Sequence, residues 1–128
     1  MKAALVLAAA VVVAAVAVVG VSELSDRTQT RADEVDHSRA STIVFRIRVG
    51  AYDGTLAEAA AAQWGVCAGT IGGEVREPGV EQLDDERFRV TVVPAVGKYG
   101  ERRLVGCLND AAVDRVMSSF VSMDNVPA

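Results

Sequence analysis

The chain has 128 residues, 51% of them hydrophobic, and a formal net charge of −4 with an isoelectric point near 4.9. That balance argues against nucleic acid as a partner, because phosphate binding needs a concentrated basic face. One histidine and two cysteines argue against a clustered Cys/His zinc site, and residues 41–128 hold no histidine to act as the usual base for a Ser or Cys nucleophile.

Residues 3–21 are an unbroken apolar run, mostly Ala, Val and Leu, interrupted only by Gly20. The run has the length of a bilayer-spanning helix, about 20 residues. A secretory signal has a shorter apolar core followed by a polar cleavage region. Residues 1–22 therefore read as an uncleaved transmembrane anchor. The alternative is a signal peptide cleaved at one of the small-residue pairs Ala15/Ala17, Val18/Gly20 or Gly20/Ser22, which would give a secreted chain. Lys2 precedes the run, and Glu23 and Asp26 follow it. Positive-inside reasoning then keeps the N-terminus cytoplasmic and places the rest of the chain outside.

Residues 23–40 are polar and lack Pro and Gly, and Glu23 stands four before Arg27. They read as a stalk or linker with helical tendency as far as about Asp36. His37, the sole histidine, reads as solvated.

A single extracytoplasmic domain is expected over residues 41–128. It opens with a strand over 41–49, in which Ile43, Phe45, Ile47 and Val49 alternate with Thr42, Val44, Arg46 and Arg48. Arg46 and Arg48 then share a face. Two guanidiniums there are a candidate anion-binding pair for carboxylate or phosphate, against the plainer reading of solubilising charge paired with nearby acids. After a turn at 51–54, Thr55 and Glu58 have the form of a capping box that starts a helix. Leu56, Ala60, Trp64 and Cys67 fall on one helical face, with Trp64 read as core, and Gly69 is placed to end the helix in the left-handed conformation.

Residues 74–82, broken by Pro78 and Gly79, read as a weak edge strand, and 87–93 as a clean alternating one. Gly97, Lys98, Tyr99 and Gly100 read as a turn, and residues 102–108 as a returning strand. Asn109 or Asp110 is expected to cap a second helix buried through Val113, Val116 and Met117. Phe120 and Val121 continue the helical spacing, but Ser118 and Ser119 could equally open a final strand; a short helix and then a strand to about Asp124 is favoured, with 125–128 frayed.

Cys67 and Cys107 are expected to form a disulfide, since an even count in an oxidising compartment favours a bridge. The acidic run Asp84, Asp85, Glu86 lacks the register of a calcium loop, and the Gly-rich stretches match no nucleotide-binding pattern. No residue is nominated as catalytic, cofactor-binding or metal-ligating, and no cofactor is expected.

The element order indicates an α+β fold: a two-layer sandwich with a mostly antiparallel sheet and two helices on one face, ferredoxin-like in outline. The functional expectation is a membrane-tethered, extracytoplasmic, non-enzymatic module that binds a protein or envelope ligand outside the cell. Its alternatives are a structural subunit of an envelope assembly, joined through anchor and stalk, and an exported carboxylate-based hydrolase.

Overall fold

The structure, a computed structural model, describes residues 31–128 together with residues 11, 13–17, 20, 21, 23 and 24. The chain divides into two compact units, 1–31 and 32–128. In the first, the described residues up to 24 are helical and exposed. Among the described residues no helix is long and apolar enough to cross a membrane. Most of the run expected as an anchor lies outside the described residues.

The second unit is built on β1 (Arg39–Val49). Its alternation places Ile43, Phe45 and Ile47 in the core, essentially without exposure. Along the chain follow α1 (Leu56–Ala68), β2 (Glu74–Val75), β3 (Glu81–Gln82), β4 (Arg87–Val93), α2 (Lys98–Asp110), β5 (Ala112–Val113) and β6 (Val116–Pro127). The sheet is antiparallel throughout, in the order β2-β4-β1-β6-β5, with β3 also on β4. Ile43 lies opposite Val90 and Met123, and Phe45 opposite Phe88 and Phe120. Both helices contribute to the cluster on this face, through Ala59, Ala60, Trp64 and Cys67 and through Leu104 and Leu108. Trp64 is a core residue, its ring 6.0 Å from that of Phe45.

The capping box forms. Thr55 N donates to Glu58 Oε2 at 2.8 Å and Glu58 N to Thr55 Oγ1 at 3.2 Å. Gly69 is right-handed, with φ −64°, and not left-handed as expected. The helix end is satisfied another way, because Thr70 donates both its N–H (3.0 Å) and its hydroxyl (2.7 Å) to Cys67 O. The broken edge strand is two short strands, β2 and β3, both on β4. Between them Gly79 has φ +95°, in the left-handed region that glycine enters without strain.

Three expectations in the last third are corrected. Residues 98–110 are a helix, not a turn and a strand: Gly100, Leu104 and Leu108 recur every four residues and are all buried, which is helical spacing. The helix expected after Asn109 is instead a hairpin. Val113 pairs with Val116, and the loop residues Asp114 (φ 46°) and Arg115 (φ 66°) are both left-handed, as in a type I′ turn. The C-terminus is not frayed either, since β6 runs to Pro127 and Ala128 N donates to Ser38 O at 2.9 Å. The stalk helix expected as far as Asp36 is also absent from residues 31–35, which have no regular structure.

Cys67 and Cys107 are bonded, with Cα atoms 5.6 Å apart. The bridge joins the two helices and not a helix to a strand. Reducing it in the full chain is expected to lower stability by about 2–4 kcal/mol, seen as an earlier urea midpoint. Unchanged midpoints with and without reductant would refute that role.

The Glu58 carboxyl is held below its ordinary 4.5 by the bond from Thr55 N–H and then by the Thr55 hydroxyl. A depressed carboxylate contributes stability above its unfolded value and loses it as pH falls through the folded one. Thr55→Ala is therefore expected to destabilise at neutral pH, with the gap to wild type closing at acid pH. Denaturation curves at both pH values measure this.

Candidate functional site

The far side of the sheet carries no helix from the core cluster. It presents Thr42, Val44, Arg46 and Arg48 of β1 beside Arg87, Arg89 and Thr91 of β4 and Met117, Ser119, Ser122 and Asp124 of β6. Arg46 and Arg48 do share this face, as β geometry requires of residues two apart. They are not equivalent. Arg46 Nε lies 3.4 Å from Glu86 Oε2, whereas Arg48 is exposed and makes no ion pair among the described residues.

The other arginines here also face the chain's own acids. Arg89 Nη2 is 3.0 Å from Glu81 Oε2, and Arg87 Nε is 2.6 Å from Asp84 Oδ2. Bonds from the Glu86 N–H and then from the Arg87 side chain and N–H hold the Asp84 carboxyl below its ordinary value. The acidic run is thus a turn that neutralises arginine. Among the described residues Arg48 is the guanidinium of this face that makes no ion pair.

A second constellation lies at the start of α2. Gly97, its N-cap, has no side chain to offer, and the first N–H groups of a helix need acceptors. Asp33 supplies them: Tyr99 N donates to Oδ1 at 2.8 Å and Gly100 N to Oδ2 at 2.5 Å. Arg103 Nη2 stands 3.9 Å from Oδ2 while its Nε donates to Thr70 O at 2.9 Å. Negative charge at a helix N-terminus is favoured by the helix dipole.

The two glycines make room for the carboxylate. A Cβ at Gly97 would overlap the Asp33 side chain, and one at Gly100 would lie 2.9 Å from Asp33 Oδ2. Among residues 31–39 only Asp33 is not exposed, and its side chain seats this strap together with the backbone bridge between Asp36 and Ala95. Beside it is a cavity of about 460 Å³, floored by Ile71, Pro94 and Val96 and rimmed by Glu34, His37 and Arg103. His37, read as a solvated linker residue, is exposed and lies on that rim.

Local sequence could not reveal this site. Asp33 is 66 positions from Tyr99, and its partners are backbone groups that any residues would offer. The one visible sign was a pair of glycines flanking Lys98 and Tyr99.

Among the described residues no group of three His, Cys, Asp or Glu is placed to hold a metal ion. No protein-family model matches the chain, and neither does any curated protein or solved structure.

Asp33→Ala is expected to cost about 1–2 kcal/mol by removing the cap. Gly97→Ala should destabilise wild type, because its methyl would overlap both the Cβ and the carboxylate of Asp33, yet be tolerated once Asp33 is Gly, which removes both. Denaturation of the four proteins of this double-mutant cycle measures the coupling. Additive effects would show that the two positions do not share one cradle.

Proposed function

We propose that this chain is a membrane-tethered, extracytoplasmic, non-enzymatic binding module that engages an anionic group on a protein or envelope ligand through the open face of its sheet. The observation that carries the reading is the asymmetry of the sheet. One face is closed by two helices, while the other presents Arg48, exposed and without an ion pair among the described residues, opposite Met117 and with Asp85, Glu86 and Asp110 lining the hollows beside it. A guanidinium in that setting offers paired donors to carboxylate or phosphate.

The compartment is supported by the Cys67–Cys107 bridge, because structural disulfides persist in oxidising surroundings. The tether is supported by the apolar run of residues 3–21 and by Lys2 before it. The finer reading of the fold as ferredoxin-like in outline is supported by the strand order, in which β1 lies between β4 and β6 and each helix links strands that are not neighbours.

A photo-crosslinking residue at Ser119, opposite Arg46 and diagonal to Arg48 on the same face, in the full chain expressed in intact cells, is expected to give adducts that fall when Arg48 is changed to Glu. The same residue at Ala61, exposed on α1, should give none. The adducts should sit in the membrane fraction, and a reporter active only outside the membrane should work when fused after Ala128. Adducts from Ala61 alone would move the contact off the sheet, and a chain recovered in the medium with a new N-terminus would replace the tether by a cleaved signal.

A further inference from the structure

Strand β6 is paired on one side along its length by β1, but on its other side β5 reaches only Val116 and Met117. In an antiparallel ladder a residue aims its N–H and C=O at the same neighbour, and the direction alternates along the strand. Ala95 N donates to Arg39 O, and Ile47 N donates to Glu86 O. The odd residues of β1 therefore serve β4 and the even ones serve β6. The β6 partners of those even residues, Ser122, Asp124 and Val126, direct their backbone groups at β1. Met123, Asn125 and Pro127 turn theirs outward. Ala128 N, donating to Ser38 O, keeps the same alternation.

This outward edge is guarded at both ends. Phe120 N donates to Asn109 Oδ1 at 2.9 Å, and Val121 is the extra residue of a bulge. Asn125 O accepts from Arg39 Nη2 at 2.9 Å, and Pro127 has no N–H to give. Among the described residues, the Met123 N–H, the Met123 C=O and the Asn125 N–H have no partner between those guards. Val121 and Val126 beside them are 42% and 38% exposed.

We propose that this window pairs with the same window of a second copy of the chain, antiparallel about a twofold axis at Met123. An extended backbone is the group that matches a donor and an acceptor at ladder spacing. The open set is self-complementary: each Met123 N–H meets the Met123 C=O of the second copy. Moving the axis to Asn125 would set each Asn125 N–H on an Asn125 C=O that Arg39 already occupies, and moving it toward the N-terminus runs into the bulge. The Met123 register also sets Asp124 opposite Ser122 of the second copy and not opposite its own charge, which avoids a like-charge pair. The pairing requires no membrane, so it stands or falls apart from the tether of the proposed function.

The test uses the full chain in detergent under mild oxidation. Met123→Cys is expected to cross-link to itself, since Cα atoms of a hydrogen-bonded antiparallel pair lie about 5.5 Å apart, within disulfide reach. Val126→Cys, more exposed but about 20 Å from its own copy in this register, should remain uncross-linked. Met123→Pro removes the outward N–H without touching the ladder to β1. It should weaken self-association by about thirtyfold, the equivalent of two net hydrogen bonds, as read by sedimentation equilibrium.

Equal cross-linking of the two cysteine variants would overturn the proposal. So would a failure of Met123→Cys to cross-link while mass spectrometry shows the Cys67–Cys107 bridge intact, or cross-linking of Met123→Cys only to a different protein. If Met123→Pro does not fold, the cysteine pair decides alone.

Discussion

The alternation of β1 is the constraint on which the second unit rests. Each of Ile43, Phe45 and Ile47 loses nearly all contact with water, and burying a side chain of this size is worth about 1.5–3 kcal/mol. A slip of one residue would turn all three outward and Arg46 and Arg48 into the core. The registers with β4 and β6 follow from that, because Phe88, Val90 and Met123 are the residues that fit opposite. Ser41 extends the constraint to polar groups. It is fully buried, accepts from Val96 N at 2.8 Å and donates to Asn125 Oδ1, tying together the three segments that meet at that end of the sheet.

Against this sheet α2 is held from both ends. Its sequence is a poor helix former, with Gly100 and Gly106, each costing about 1 kcal/mol relative to Ala. Asp33 supplies its N-cap from the strap, and Cys107 bonds its last turns to α1. Helical stability in proteins comes mostly from such tertiary contacts and from burial of one stripe, here Leu104 and Leu108.

The two faces of the sheet serve different ends. The helix-covered face is apolar, while the open face is rich in arginine and is largely neutralised by the chain's own acids. Ion pairs this exposed contribute little stability. Their effect is to neutralise most of the arginine charge of the face, Arg48 being the arginine without an ion pair among the described residues.

Where the determinants of structure lie within a few residues of one another, they were legible in the sequence: the alternation of β1 and β4, the Thr55 and Glu58 capping box, the break at Pro78 and Gly79. The Cys67–Cys107 bridge was legible for a different reason, since two cysteines allow one pairing. What only the tertiary structure decided lies in the last third of the chain. Glycines at 97 and 100 read locally as a turn, but they are the hollow into which Asp33 fits, and a cap supplied from 66 positions away leaves no local trace. Asp114 and Arg115 turn a hairpin without the glycine that would announce it, held where Gly50 N donates to Arg115 O at 3.2 Å. The C-terminal residues, read as frayed because chain ends are commonly poorly ordered, are ordered because β1 is long enough to pair with them. Arg46 and Arg48 were set on one face by the two-residue repeat of a strand, yet only folding brought Glu86 to one of them and left the other without an ion pair among the described residues.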